Sequence, residues 1–171
     1  MVIRNRKLNR LKGYNYSSAG FYFVTINCKD KIPWFGKILN NDVVLNKLGT
    51  YVEKCWLEIP IHFPHITLDE YTIMPNHIHG ILIIDYLENH NIVGNNNYCS
   101  LHQNKSWQTK WSKSISSAIR GFKIGVTKYC INNEIIDFSW QKSFHDRIIR
   151  NEFELNKIRN YILMNPYQLK K

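Results

Sequence analysis

Residues 71–85 read YTIMPNHIHGILIID. Pro75-Asn76 is a turn signal between two runs rich in apolar and β-branched residues, ITLDEYTIM (66–74) and HIHGILIID (77–85). The segment therefore reads as two strands joined by a tight turn. Upstream, VLNKLGTYVEKCWLEIPIHF (44–63) sets Leu45, Leu48, Val52, Cys55 and Trp56 at helical spacing, with Pro60 as the expected stop. Before that, GFYFVTINC (20–28) reads as a strand and KDKIPWFGKILNND (29–42) as a turn-rich connection. Downstream, residues 87–112 are polar and Asn-rich and read as a long loop or mobile lid. A helix is expected over 112–134, with Ile115, Ala118, Ile119, Phe122 and Val126 as its apolar stripe. A fourth strand is expected in SWQKSFHDRIIR (139–150). The last helix is NEFELNKIRNYILMNP (151–166), opened by an Asn151/Glu154 capping box and stopped by Asn165-Pro166. The order β–α–β–β–α–β–α is that of an α+β, ferredoxin-like split βαβ sandwich. It predicts an antiparallel sheet with helices on one face, plus a C-terminal helix.

The chain has 171 residues, which favours one domain over 1–171. Its composition, 44% apolar and 13% aromatic, supports a packed core and excludes a disordered chain. A formal net charge of +10 points to nucleic acid or another anionic surface as partner. Cys28, Cys55, Cys99 and Cys130 form no C-x-x-C pair, which argues against a cysteine zinc site. The first 18 residues are basic, without the apolar segment of a signal peptide, and the apolar runs are too short to span a membrane. A cytoplasmic protein without membrane contact is expected.

Side chains alternate across a strand, so His77 and His79 share one face while Ile78 takes the other. Their Cα atoms lie about 6–7 Å apart, close enough for two imidazoles to converge on one metal ion. A strongly apolar strand does not carry two ionisable side chains without a reason. A histidine-triad hydrolase would need a third alternating histidine, and position 81 is Ile.

Continuing the stripe of the 112–134 helix brings Tyr129 and Asn133 to one face, a turn apart. Two histidines, an amide oxygen and a phenol make a candidate site for a divalent cation beside a tyrosine nucleophile. A tyrosine hydroxyl, with an ordinary pKa of about 10, is a weak nucleophile. A cation on the scissile phosphate would neutralise charge and align phosphorus for in-line attack. A covalent phosphotyrosine would conserve the bond for rejoining.

These residues also resemble a family. MPNHIHGILI (74–83) is similar to the His-hydrophobic-His (HUH) motif of single-tyrosine transposases, of the IS200/IS605 kind and their REP-associated relatives. RLKGYNYSSAGFYFVTINC (10–28), SSAIRGFKIGVTKY (116–129) and WQKSFHDRIIRNEFELNKIRNYILMNPYQ (140–168) resemble the REP-associated branch in the same order along the chain. The resemblance implies metal-dependent cleavage and rejoining of single-stranded DNA at hairpins, through a 5′-phosphotyrosine and a free 3′-OH, with Mg²⁺ or Mn²⁺. It implies His77 and His79 as metal ligands, Tyr129 as the helix-borne nucleophile and Asn133 as third ligand. Tyr98, Tyr161 and Tyr167 are alternative nucleophiles, and Asp69 or Glu70 alternative ligands. The transposase relatives include monomers and dimers that share active sites, so a homodimer is one of two expected states.

The basic arm (Arg4, Arg6, Lys7, Arg10, Lys12) and the helix residues Lys113, Arg120, Lys123 and Lys128 are expected to contact DNA phosphates, giving steep salt dependence. Tyr98, Trp107 and Trp111 in the loop are candidate stacking platforms for unpaired bases, and His145 reads as structural. The rival from another class is a catalytically silent hairpin-binding protein of the same fold. A replication nickase would need further domains.

Overall fold

A computed structural model of the chain describes residues 14–40, 42–85 and 114–166. The basic arm up to Lys12, residues 87–112 with Tyr98, Trp107 and Trp111, and also Lys113 and Tyr167, lie outside the described residues.

Strand β1 (Gly20–Asn27) alternates cleanly. Tyr22, Val24 and Ile26 are fully buried on one side, and Phe21, Phe23, Thr25 and Asn27 point to the other. Its neighbour β5 (His77–Ile84) forms the expected hairpin with β4 (Ile66–Met74) across Pro75-Asn76, pairing Met74 with His77 and Thr72 with His79. On the other flank of β1 lies β6 (His145–Ile149). The sheet order is β4-β5-β1-β6 with every pair antiparallel, which is the ferredoxin-like arrangement.

The connection after β1 is more ordered than the sequence suggests. The stretch read as turn-rich, together with Val44 and Leu45 from the segment read as helix, contains a second small hairpin, β2 (Gly36–Leu39) with β3 (Asp42–Leu45), where Ile38 and Val43 pair directly. Helix α1 (Lys47–Leu57) is capped by Asn46, whose side-chain oxygen accepts from Gly49 N at 2.9 Å. It ends before Pro60, which instead sits in the first turn of the short α2 (Ile59–His62). There its fixed φ and missing N–H cost nothing. Helix α3 (Ile115–Asn132) is capped by Ser114. The expected fourth strand shortens to β6, and Trp140 makes an isolated bridge to Cys28. In helix α4 (Glu152–Met164), Glu154 N donates to Asn151 Oδ1 at 2.8 Å, so the predicted cap forms.

The two sheet faces are covered by different helices. One face carries Ile78, Leu82 and Ile84 with Tyr22, Val24 and Ile26, and packs on α1 and α3 through Val52, Trp56, Ile119, Phe122 and Val126. The opposite face carries Ile81 and Ile149 with Phe21 and Phe23, and packs on α4 through Leu155, Ile158 and Ile162. Gly80 is required by the first of these contacts. A Cβ there would lie 2.3 Å from Cζ2 of the fully buried Trp56. Gly80→Ala should therefore cost about 3 kcal/mol by overpacking, read as a lower urea midpoint with unchanged slope. An unchanged midpoint would show that Trp56 can move aside. No described helix is long and apolar enough to cross a membrane.

Candidate active site

Parity along β5 fixes which helix meets the histidines. Ile81, on their side of the strand, packs under α4, so His77 and His79 also face α4. They meet edge to face, with ring centroids 4.6 Å apart.

His79 is 6% exposed. Its ring stacks on Phe23, its Nδ1 is hydrogen-bonded to Thr25 Oγ1 at 2.9 Å, and its Nε2 lies 3.4 Å from Tyr161 Oη. Both hydroxyls can donate or accept, so either neutral tautomer satisfies the two contacts, and the one with hydrogen on Nδ1 leaves the Nε2 lone pair toward the phenol. His77 is oriented by the turn. Asn76 Nδ2 donates to Lys31 O at 3.0 Å, which turns Asn76 Oδ1 toward His77 Nδ1 at 2.6 Å. That oxygen can only accept, so His77 Nδ1 carries the hydrogen and Nε2 presents its lone pair. The side chain of Asn165, buried just past the end of α4, also hydrogen-bonds His77.

Burial keeps both rings neutral. Desolvation, then the neighbouring His77, pushes His79 down to about 3. His77 is lowered by burial first and by Lys31 second, against the Asn165 hydrogen bond. Neutral imidazoles whose Nδ1 is fixed by a hydrogen-bond partner are competent metal ligands through Nε2, where a cation would displace the Tyr161 contact of His79. Among the described residues no third His, Cys, Asp or Glu joins them. The third donor at hand is the carboxamide of Asn165. Two imidazole nitrogens and one amide oxygen fit a divalent cation.

The structure does not bring Tyr129 or Asn133 to this site. Both belong to α3, behind the sheet. Tyr129 stacks on Tyr51 with ring centroids 3.8 Å apart, and Asn133 caps the helix, its Nδ2 donating to Tyr129 O at 2.9 Å. The apolar stripe of α3 forms as the spacing predicts, but it packs on the face that carries Ile78 and not the histidines. The residues in the expected geometry are Tyr161 and Asn165, which repeat the same Tyr-x-x-x-Asn spacing on α4. The basic residues of α3 are also displaced from the histidine face. Arg120 and Lys128 are exposed behind the sheet. Lys123 turns inward, its Nζ donating to Gln141 O at 2.8 Å and Ser143 O at 3.1 Å, and burial lowers it to about 8.

Asp69 is committed elsewhere than to a metal. Arg159 grips it with Nε at 3.0 Å from Oδ1 and Nη2 at 2.6 Å from Oδ2, two residues before Tyr161. A register shift between Leu68 and Tyr71 lets the carboxylate reach the helix. The Arg159 hydrogen bond is the main cause holding the Asp69 carboxyl below its ordinary value of 3.8. A folded pKa below the unfolded one gives stability that is complete above about pH 4 and is lost as pH falls through the folded value. Asp69→Asn should therefore cost about 1 kcal/mol at pH 7, a figure discounted because Arg159 is 37% exposed, and less at about pH 3, below the ordinary carboxyl value. Urea midpoints at the two pH values measure this, and equal losses at both would exclude the ionic contribution.

No protein-family model matches the chain. A protein of Haemophilus influenzae, described as uncharacterized, is 44% identical over 165 residues, which is 96% of this chain and 89% of that protein. Among solved structures, a REP-associated tyrosine transposase bound to a REP hairpin superposes with a TM-score of 0.61 at 17% identity, over 94% of this chain and 74% of that one. The two share a fold.

Proposed function

The chain belongs to one family with the Haemophilus influenzae protein, and we propose that it is a transposase-type DNA strand transferase that acts on single-stranded DNA at hairpins. The observation that carries this reading is the meeting of Tyr161 with the His77/His79 pair and Asn165 on one sheet face. The fold shared with a hairpin-bound tyrosine transposase supports it.

In this reading Tyr161 Oη attacks the scissile phosphorus. The phenol gives up its proton, a tyrosine O–P bond forms, the P–O3′ bond breaks, and the leaving 3′ oxygen takes up a proton, so none is gained or lost overall. The product is a 5′-phosphotyrosine, and attack by a 3′-OH reverses the step. His77, His79 and Asn165 would hold a divalent cation, Mg²⁺ or Mn²⁺, which supplies charge neutralisation on the non-bridging phosphate oxygens. Phe23 and Thr25 hold the His79 ring in place, and Asn76 holds that of His77. The Arg159–Asp69 clasp fixes α4, and with it the phenol, over the pair. Tyr161 remains 39% exposed, so an extended strand can reach its hydroxyl.

The test is incubation with single-stranded hairpin DNA from beside the chain's own gene, with Mg²⁺ or Mn²⁺, followed by denaturing electrophoresis. A protein–DNA adduct that needs the cation is expected. Tight hairpin binding without any adduct would replace the transferase with a silent hairpin-binding protein.

A further inference from the structure

Directly paired residues of antiparallel strands point to the same side of the sheet. Thr25 pairs with His79 on one flank and His145 on the other, and Phe23 pairs with Ile81 and Arg147. His145 and Arg147 therefore lie on the face of the histidine pair. At a strand spacing of about 4.8 Å, they sit about 10 Å across the sheet from β5. Beyond them the sheet ends, since among the described residues β6 pairs only with β1.

A cleft of about 590 Å³ runs along that edge. It is lined by Arg147, Arg150, Lys157, Phe153 and Tyr16. Of its two carboxylates, Glu154 is ion-paired with Arg147 and accepts from Arg150 N at 3.0 Å, so its charge is met within the wall. The other, Asp146, alternates to the opposite side of β6 from Arg147. Arg150 and Lys157 are exposed. Phe153, in the first turn of α4, is 81% exposed, the π-face of an aromatic ring presented to solvent beside cations. Cations that meet phosphates, alternating with aromatic faces that meet bases, make a platform for unpaired nucleic acid.

We propose that this cleft binds the unpaired DNA strand flanking the scissile phosphate, with backbone phosphates on Arg150 and Lys157 and a base against Phe153. The strand then runs across β6, past Arg147 and His145, to Tyr161. The inference rests on the strand-transferase reading and adds to it where the single-stranded arm of the substrate lies.

The test uses full-length protein carrying Tyr161→Phe, so that binding is read without cleavage, and two DNAs with the same hairpin stem. One carries a single-stranded flank and the other is blunt. The flank should tighten binding about tenfold through stacking and phosphate contacts. Adding Arg150→Glu, Phe153→Ala and Lys157→Glu, all at exposed positions, should reduce that gain to less than twofold. The salt slope contributed by the flank should fall by about 1.4, from two cations at about 0.7 each. Thermal melting checks that the variant is folded. A flank gain retained in the variant, or absent from the parent while the stem still binds, overturns the cleft and leaves the transferase reading standing. Failure of the parent to bind either DNA, together with no adduct from the Tyr161 protein, overturns that reading and the cleft with it.

Discussion

Tyr161→Phe should abolish the covalent protein–DNA adduct while leaving hairpin binding intact. The ring stays, so the edge contact with Phe23, at 6.1 Å between centroids, is kept. What goes is the hydroxyl 3.4 Å from His79 Nε2. Removing the attacking atom of a covalent catalyst should slow strand cleavage on the order of 10⁴-fold or more. Stability should shift by less than about 1 kcal/mol, because one partly exposed hydrogen bond is lost. The paired control is Tyr129→Phe, which keeps the stack on Tyr51 and should form adduct at the parental rate. Peptide mapping of the adduct separates the two. DNA attached to Tyr129 would mean that α3 leaves its place behind the sheet, contrary to its burial of Phe122 and Val126.

The second large effect concerns the proposed metal donors. His79→Ala and Asn165→Ala should each lower cleavage at saturating Mn²⁺ by at least about a hundredfold, since a cation on the phosphate contributes several kcal/mol of charge stabilisation. They should also weaken Mn²⁺ binding, measured by calorimetry or by the paramagnetic signal of the free ion. Thr25→Val is the finer probe. It preserves shape and removes only the hydroxyl that orients His79, and should weaken Mn²⁺ binding about 10–100-fold. Asn133→Ala, at the far end of α3, should leave metal affinity unchanged. Parental Mn²⁺ affinity in both His79→Ala and Asn165→Ala would remove the metal role from this cluster.

The sheet was legible because its strands announce themselves. Tyr22, Val24 and Ile26 alternate in β1, and Pro75-Asn76 cannot be anything but a turn between β4 and β5. The helices were legible for the same reason, down to the Asn151 cap. The assignment of nucleophile and third ligand was not, and the cause is physical. Helical spacing says which residues share a stripe, but not which face of the sheet the stripe will cover. Both α3 and α4 carry Tyr-x-x-x-Asn, so periodicity alone gives two equivalent candidates. The discriminating signal was the parity of β5. Gly80 lies on the face away from the histidines, and a glycine inside an apolar strand marks close approach by a bulky neighbour, here Trp56 of α1. The two crossover helices share that face, which leaves the last helix for the other. Asn76 and Thr25 carry no sequence signal, because orienting a histidine requires only one correctly placed polar atom, and no sequence spacing encodes that. The small β2–β3 hairpin is not legible in the sequence because its strands are short and flanked by turn residues.

Tyr161 and His79 are 82 positions apart in the chain, and β6, the strand that precedes α4, is the last of the sheet in chain order. Contacts of such high sequence separation form late, because the entropy of closing the loop must be overcome before they give anything back. A chain emerging from the ribosome therefore displays its imidazoles long before the phenol can reach them. The proposed site is therefore assembled only once α4 has docked on the sheet, and a chain that has not yet packed its last helix carries the imidazoles without the phenol.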